Sequence, residues 1–331
     1  MNGHIKNNTP FFTVIIPTRN RPVEFKAALD SVLEQSYSDI EIFVVNDGTT
    51  SQFKNEYQVI KNECPANVHF LDLIERSRGH GHCFARNEGV DASSGKFICF
   101  LDDDDTWTDS KFLERAKQEI EQTKADLYIA NQKAVKNDGE EIKNVWVEDI
   151  PSILGANDSR LKKDVFEVEV SELLRSQGFA HQNACIVSRS LFVEVDGMDE
   201  NMRYEPDRDI YLRLLDKSEC ILYDRNVVAL HNVPDNSKST NASTHTNKMQ
   251  KLLFQLRTAN KGLMFCSRDD VFTFCKTFKT NILKHIATEF LAQNKFDKAA
   301  IYAKQALAVK FTIKWFLMTQ YLRLRAIMRK P

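Results

Sequence analysis

The chain has 331 residues and a formal charge of -1, from 45 basic and 46 acidic side chains. Hydrophobic residues make up 42% of it, which supplies a large core and excludes intrinsic disorder for most of the chain. The balanced charge argues against a general nucleic-acid binder. No uncharged run approaches the ~20 residues that a membrane-spanning helix needs, and the first residues lack the layout of a secretory signal. We therefore expect a folded, cytoplasmic protein of about two domains.

Short β-branched runs alternate with helical patterns through the first third of the chain. This alternation is typical of an α/β domain with a mostly parallel sheet. The predicted strands are Thr13–Pro17, Ile40–Val45, Val68–Leu71 and Phe97–Leu101. The predicted helices between them are Glu24–Gln35, Gln52–Lys61 and His82–Ala92.

The rest of the chain is less regular before it becomes helical. A helix is predicted at Asp109–Thr123 and a strand at Asp126–Asn131. Regular structure is predicted again at Val165–Leu174 and Ala184–Ser188, followed by a helix at Asp207–Leu215. Between them, the polar and aperiodic stretch Gln132–Lys163 predicts a long connection over one face of the sheet. A loose segment, Pro234–Thr246, precedes a region that is helical by pattern from Met249. We therefore expect an α/β domain over residues 1–247 and a helical region over residues 248–331.

Four consecutive aspartates, Asp102 to Asp105, follow directly after the apolar strand pattern FICFL. Ligands of open α/β sheets bind at the carboxyl ends of the strands, where these carboxylates are expected. A solvated acidic turn is the alternative, but it leaves four like charges beside a core strand. A divalent cation removes that repulsion, and oxygen ligands favour Mn²⁺ or Mg²⁺. The segment predicts a metal site with Asp102, Asp104 and Asp105 as ligands.

Four further motifs stand in order around the aspartates: VIIPTRN from Val14, SVLEQSY from Ser31, VVNDGT from Val44 and ARNEG from Ala85. Together with FLDDDDTW they resemble, in order and spacing, the nucleotide-sugar domain of the inverting glycosyltransferases of family 2. The resemblance covers residues 12 to about 231. It implies the GT-A fold, a Rossmann-like and mostly parallel sheet flanked by helices, with the C-terminal helical region as an extension.

The resemblance also implies a site for a nucleotide-diphosphate sugar. Asp47 matches the carboxylate that accepts the N3–H of a uracil ring, while Asn46 stands where the family usually has a second acidic residue. Arg86 matches an arginine near the diphosphate, and a surface salt bridge is the alternative for it. The implied donor-binding residues are Pro17, Thr18, Arg19, Asn20, Asp47, Arg86, Asp102 and Asp103.

An inverting transfer needs a carboxylate across the sugar from the metal, where it takes the proton of the acceptor hydroxyl. The segments GMDE, from Gly197, and DRDIYLRL, from Asp207, resemble the family element that carries this base. The matching position falls on Asp207, which we expect to be the base, with Asp209 and Glu205 as reserves. A helix-capping role for Asp207 and an ion pair between Asp209 and Arg213 are the alternatives.

Two histidines complete the expected site. His231 ends a β-branched run at a point where many GT-A enzymes have a histidine that joins the metal or the diphosphate. Neutral imidazole is a suitable ligand for Mn²⁺, and a structural histidine is the alternative. His181 precedes the strand pattern ACIVS, where the family usually contacts the acceptor.

From Lys298 to Pro331 the chain has eight Lys or Arg and no Asp or Glu. The helical pattern at its end has two apolar stripes, one of Phe311, Trp315, Met318 and Leu322 and one of Ile313, Phe316, Leu317, Leu324 and Ile327. One stripe can pack inside the protein while the other meets an anionic membrane or a second subunit. We therefore predict peripheral contact with the inner face of a membrane through residues 298–331, or a homo-oligomer. A terminal helix that closes a helical domain is the alternative.

Taken with the resemblance, these residues predict a metal-dependent inverting glycosyltransferase. It would move a sugar from a nucleotide-diphosphate donor, with a UDP-sugar as first choice, to a saccharide or lipid-linked acceptor in surface polysaccharide synthesis. A sugar-nucleotide pyrophosphorylase is one alternative, but it needs a glycine-rich phosphate loop, and PTRNRP from Pro17 has no glycine. A non-catalytic scaffold that only binds nucleotide sugars is another, against which the carboxylates at 102, 104 and 207 argue.

Overall fold

The computed structural model describes residues 9–136, 138–143, 145–233 and 246–328. The chain divides into two compact units: Met1–Asn201 with Pro206–Asp235, and Met202–Glu205 with Asn236–Pro331. The boundary expected near residue 247 stays a prediction. The short piece Met202–Glu205, which groups with the second unit, has no counterpart in it.

The first unit is built on one sheet. Its strands among the described residues are β1 Phe12–Thr18, β2 Ile40–Asn46, β3 Val68–Asp72, β4 Phe97–Phe100, β5 Thr106–Trp107, β6 Leu127–Val135, β7 Glu141–Ile142, β8 Val165–Glu167, β9 Cys185–Ser188 and β10 Ile221–Asn232. Their order is β3-β2-β1-β4-β9-β6-β10-β5, with β7 on β6 and β8 on β10. Pairing is parallel from β3 to β4 and between β6 and β10. Strand β9 is antiparallel to both of its neighbours, so the predicted α/β class is confirmed with antiparallel additions.

Helices alternate with these strands. They are α1 Pro22–Leu33, α2 Lys54–Glu63, α3 His82–Ala92, α4 Phe112–Thr123, α5 Ile150–Leu154, α6 Val170–Leu173, α7 Arg189–Glu194 and α8 Pro206–Lys217. Helix α1 begins at Pro22, whose fixed φ suits a first helical turn. Helix α3 lies so close to the sheet that a Cβ on Gly89 would come within 2.7 Å of Ile15 Cγ2. This close approach packs α3 directly against β1.

The stretch Gln132–Lys163 is not the single long connection that its polarity predicts. Strand β6 continues through Gln132 to Val135, and β7 pairs back onto it. Gln132 is buried, so its polar side chain breaks the hydrophobic pattern without ending the strand. Helix α5 and a 3₁₀ turn at Ser159–Lys162 follow.

The second unit is helical, as predicted. It contains α9 Lys248–Phe265, α10 Asp269–Ala292, α11 Phe296–Val309 and α12 Ile313–Met328. Helix α9 begins with a capping box between Asn247 and Gln250. No helix in the described parts of the chain is long and apolar enough to cross a membrane. The loose segment predicted over Pro234–Thr246 lies outside the described residues except for its last residue.

Candidate active site

The four aspartates form a turn at the carboxyl end of β4. The turn closes where the Asp105 N–H donates to the carbonyl of Asp102 over 3.2 Å. Asp102, Asp104 and Asp105 each offer one carboxylate oxygen, and these oxygens lie within 4.8 Å of one another. Asp103 faces another way, since it accepts from Thr18 Oγ1 at 2.8 Å. The structure thus brings the three predicted metal ligands together.

Arg86 of α3 lies against Asp102 and is only 1% exposed. Its Nη2 donates to Asp102 Oδ1, whereas its Nε and Nη1 have no hydrogen-bond partner among the described residues. Burial opposes ionisation of Asp102, but the Arg86 charge outweighs it and holds the pKa of that carboxyl well below its usual range. The burial of Arg86 excludes a surface salt bridge. A guanidinium carries five N–H donors, so Arg86 retains donors for a further anion.

Asp105 is fully buried and its two oxygens are both in use. Oδ1 accepts the Asn232 N–H at 2.7 Å, while Oδ2 contacts His231 Nδ1 at 2.8 Å and accepts from Asn183 Nδ2. With the proton of the neutral ring on Nδ1 of His231, Nε2 keeps its lone pair, and a carboxylate orients many metal-binding histidines in this way. These contacts favour Asp102 and Asp104 as direct ligands and Asp105 as the residue that orients His231.

The turn carries more negative charge than its neighbours offset. Burial and the nearby Asp104 raise the pKa of Asp103 to about 7, and burial and Asp105 raise the pKa of Asp104 to about 6. Arg21 offsets part of this charge through contacts of 2.6 Å with Asp104 and 3.3 Å with Asp103. Crowded carboxylates with oxygen donors match what Mn²⁺ and Mg²⁺ bind, so the residues present fit a divalent cation.

His181 stands between this turn and helix α8. Its Nε2 lies 3.9 Å from Asp102 Oδ2 and 3.9 Å from Asp207 Oδ2. Its Nδ1 accepts the Asn183 N–H at 3.4 Å, which places the proton of the neutral ring on Nε2. Burial lowers the pKa of His181, so the ring is neutral at pH 7. Asp207 Oδ1 is buried and has no partner among the described residues, which leaves it available to accept a proton.

The two reserve carboxylates are differently placed. Asp209 is 2% exposed and accepts from Arg213 Nη2 at 2.8 Å and Nε at 3.1 Å. Arg213 also donates to two carbonyls of the turn that follows α7, so this pair links α8 to that turn. Glu205 accepts from Gln255 Nε2 at 2.8 Å and groups with the second unit. The geometry favours Asp207 over both as the base.

Asp47, at the end of β2, is held by the loop that precedes α3. It accepts the main-chain N–H of His80 at 2.7 Å and of Gly81 at 2.9 Å, and it contacts His80 Nδ1 at 2.8 Å. Gly79 has a φ of +65°, and a Cβ there would overlap the Asp47 carboxylate. Glycine is therefore required at this position. A ligand that binds Asp47 must compete with this loop.

The segment Pro17–Asn20 leads from β1 towards the same edge of the sheet. The Thr18 hydroxyl donates to Asp103, so the 2.6 Å contact with Tyr57 is a hydrogen bond donated by the phenol. Arg19 donates at 2.8 Å to a carbonyl of the loop before α3. Asn20 Oδ1 accepts the N–H of Thr50, in the loop after β2, at 2.9 Å. The segment thus links three loops around the predicted nucleotide pocket.

Three site residues were missed by the sequence analysis. Arg21 lies one residue beyond the segment that was singled out, and Asn183 lies two residues beyond His181, so proximity was their only signal. Trp146 packs on His181 at 4.8 Å and on His231 at 5.3 Å between ring centroids. It lies in the aperiodic stretch after β7, where the sequence gives no sign of a site residue.

The model of the family described as "Glycosyl transferase family 2" matches residues 13–194, more than half of the chain. The chain belongs to glycosyltransferase family 2. The acidic turn and the segments around Asp47 and Arg86 lie inside the matched range. Asp207 and His231 lie beyond it, yet the fold brings His231 against Asp105 and Asp207 to within 3.9 Å of His181, which is itself 3.9 Å from Asp102.

Relatives and solved structures agree with this assignment. A GalNAc(5)-diNAcBac-PP-undecaprenol beta-1,3-glucosyltransferase of Campylobacter jejuni is 34% identical over 96 residues, 29% of this chain and 30% of that one. The structure of S. aureus TarS 1-349 in complex with UDP-GlcNAc aligns with a TM-score of 0.65 and 16% identity, over 95% of this chain and 87% of that one. The mannosyltransferase PcManGT from Pyrobaculum calidifontis, in complex with GDP-Man and Mn2+, aligns with a TM-score of 0.58 and 16% identity, over 97% and 87%.

These likenesses confirm the GT-A fold of this family 2 glycosyltransferase. The sequence matches are partial. They span 16%, 30% and 33% of the lengths of three of its curated relatives.

Proposed function

We propose that this family 2 glycosyltransferase is a metal-dependent, inverting enzyme. It transfers a sugar from a nucleotide-diphosphate donor, with UDP-sugars first, to a saccharide or lipid-linked acceptor in surface polysaccharide synthesis. One observation carries the proposal: Asp102 and Asp207 both lie 3.9 Å from His181 Nε2. A carboxylate of the acidic turn and the expected base therefore belong to one site.

Asp102 and Asp104 would hold the Mn²⁺ or Mg²⁺, with His231 as a further ligand oriented by Asp105. When bound, the cation supplies positive charge that stabilises the leaving diphosphate. The Mn2+ in the solved mannosyltransferase of similar fold supports this assignment.

In the proposed reaction, Asp207 is the first residue to act. Its Oδ1, which has no hydrogen-bond partner among the described residues, takes the proton of the acceptor hydroxyl, whose oxygen attacks the anomeric carbon of the donor sugar. The bond from that carbon to the diphosphate oxygen breaks, and its electron pair leaves with the nucleotide. Arg86, buried and with two unpartnered nitrogens among the described residues, offsets the charge that develops on the diphosphate. Attack from the opposite face inverts the configuration of the sugar.

We assign the nucleoside end of the donor to Asp47 and the loop around His80. Asn46 does not supply a second acidic contact: its Oδ1 accepts the Thr49 N–H at 3.0 Å and its Nδ2 donates to Asp72 at 3.1 Å. Of these two residues, only Asp47 therefore offers a carboxylate to the nucleobase. The UDP-GlcNAc complex of similar fold supports a UDP-sugar as the first donor to test.

We propose an acceptor carried on a lipid, because the relative from Campylobacter jejuni is named for an undecaprenol-linked substrate. The enzyme would then act from the cytoplasm at the inner face of a membrane. His181, next to the base, would contact the acceptor as well as Asp207.

A donor screen tests the proposal. Full-length protein is treated with EDTA, and release of nucleotide from UDP-, GDP- and dTDP-sugars is measured with and without Mn²⁺ or Mg²⁺. We expect hydrolysis of at least one donor that needs the cation, and an inverted product by NMR once an acceptor is found. Binding of a donor without hydrolysis or transfer in any combination would favour the non-catalytic scaffold instead.

A further inference from the structure

Helix α12 has an inward face that is packed. Trp315, Met318 and Leu322 join the apolar cluster that includes Phe296 and Ala299 of helix α11. Leu322 is 1% exposed. The first of the two predicted stripes is thus part of the core of the second unit, apart from its first member, Phe311, which is exposed.

The opposite face of α12 is apolar and exposed. Its large side chains keep between 41% and 79% of their surface accessible: Ile313, Phe316, Leu317, Tyr321, Leu324, Ile327 and Met328. Their spacing of three and four residues places them on one side of the helix, which we call the outer face of α12. A contiguous apolar surface of this kind marks a contact site in a water-soluble fold.

Positive charge surrounds this outer face. Lys310, Lys314 and Arg323 are exposed, and the sequence has no Asp or Glu from Lys298 to Pro331. A second copy of the chain would bring the same basic residues together, with no carboxylate in this segment to pair with them. An anionic lipid surface complements both the charge and the apolar stripe.

We propose that the outer face of α12 docks on an anionic lipid bilayer. The helix lies in the plane of the interface, with its apolar side chains inserted among the lipids and its basic side chains at the phosphate groups. Its 16 residues give a contact about 24 Å long at 1.5 Å per residue. This attachment does not depend on the transferase chemistry, so the two proposals can fail separately.

The test is flotation of the full-length protein with vesicles of 30% phosphatidylglycerol in phosphatidylcholine, and with pure phosphatidylcholine vesicles. We expect binding to the anionic vesicles that falls as salt is raised, because charged contacts with the surface are screened. The double variant Leu317→Ser with Leu324→Ser should lower the partition coefficient by at least about tenfold. The double variant Lys314→Gln with Arg323→Gln should lower it by about 25-fold, from roughly fivefold per basic residue.

Two matched variants control for general effects. Val59→Ser with Val193→Ser removes exposed apolar side chains from the first unit, and Lys162→Gln with Lys163→Gln removes exposed charges there. Both should bind vesicles like the unaltered protein. Thermal unfolding and donor hydrolysis are recorded for every variant, and we expect both to be unchanged.

Two results would overturn the proposal. One is absence of binding to anionic vesicles at low salt, or binding that the outer-face variants leave intact. The other is a concentration-dependent dimer in sedimentation, abolished by Leu317→Ser with Leu324→Ser, in a protein that ignores vesicles. That second result would make the outer face a contact between copies of the chain.

Discussion

Asp207 is the residue on which the proposed chemistry depends most directly. Asp207→Asn keeps the shape of the side chain but removes the proton acceptor. We expect kcat to fall by about 10² or more while donor affinity is unchanged, because a general base acts in the transition state and not in donor binding. Nucleotide release measured by kinetics and donor binding measured by calorimetry separate the two effects.

Glu205→Gln is the matched control for this variant. Glu205 accepts a hydrogen bond from Gln255, and the amide oxygen of the Glu205→Gln variant can still accept it, so we expect kcat within about threefold of the unaltered enzyme. If Asp207→Asn turns over normally and Glu205→Gln does not, the assignment of the base is wrong.

The metal assignment makes a second prediction. Asp104→Asn removes one carboxylate ligand from a cluster whose oxygens lie within 4.8 Å of one another. We expect the Mn²⁺-dependent part of UDP affinity to fall by at least about tenfold, because the cation loses a charged oxygen ligand. Titration calorimetry with and without Mn²⁺ measures it. Glu140→Gln, which removes an exposed carboxylate far along the chain, should have no effect; equal affinity in both variants would contradict the assignment.

Gly79 makes a third prediction about the nucleoside end. In Gly79→Ala the new Cβ meets the Asp47 carboxylate, so that carboxylate or the loop must move. We expect UDP affinity to fall by about tenfold, together with a loss of stability of about 1 kcal/mol from the left-handed backbone. Gly139→Ala is the control, because Gly139 also has a positive φ, +84°, but a Cβ there has nothing within 4 Å. It should show the stability loss without the affinity loss.

Some of these residues could be predicted from sequence and others could not. The acidic turn was found because its four carboxylates are adjacent in the chain, and Asp207 and Arg86 because each stands inside a recognisable motif. Trp146 has no such context. Its contacts with His181 and His231 join positions far apart in sequence, and an isolated tryptophan in a polar stretch looks the same whether it packs on a site or on the core.

At the scale of elements, an ion pair between a partly exposed arginine and a fully buried aspartate attaches helix α4 to the sheet. Asp224 of β10 has no exposed surface and accepts from Arg115 Nε at 2.8 Å and from Tyr128 Oη at 2.7 Å. Burial, followed by the charge of Asp224, raises the pKa of the Tyr128 phenol well above its usual value, so this tyrosine stays a donor. The three groups form one network between α4, β6 and β10.

Breaking this network should be costly. Asp224→Ala leaves Arg115 and Tyr128 without their shared acceptor, and we expect the free energy of unfolding to fall by about 3 to 5 kcal/mol. Glu121→Ala removes one partner of the exposed pair with Lys117 on the same helix and should cost no more than about 0.5 kcal/mol. Urea denaturation followed by circular dichroism measures both. Equal losses would mean that Asp224 is not the anchor of α4.

The same residue explains why the sequence pattern marks only part of β10. The β-branched run that ends at His231 covers the second half of this strand, which begins at Ile221. Asp224 and Arg225 interrupt the hydrophobic pattern there, although the carboxylate of Asp224 is buried because its partners neutralise it. Sequence patterns record the polarity of a side chain but not whether a distant residue compensates it.

At the scale of the whole molecule, two units with separate cores predict two responses to a ligand. We expect calorimetry to resolve two unfolding transitions, of which UDP with Mn²⁺ raises only that of the first unit. A ligand at about 100 times its Kd stabilises the binding unit by about 2.7 kcal/mol. Leu322→Ala, in the core of the second unit, should lower the free energy of unfolding of that unit by about 2 to 5 kcal/mol. One transition that responds to both changes would contradict independent unfolding.

The hydrogen bond between His231 and Asp105 joins residues 126 positions apart. On a ribosome that adds about 5 to 20 residues per second, the acidic turn emerges roughly 6 to 25 seconds before the histidine that completes it. During that interval Asp105 is without His231 and Asn232, so the nascent chain has carboxylates but no assembled site. The proposed metal site is therefore complete only once β10 has been made, and a ribosome-stalled chain that ends before residue 221 should bind no nucleotide in a cation-dependent way.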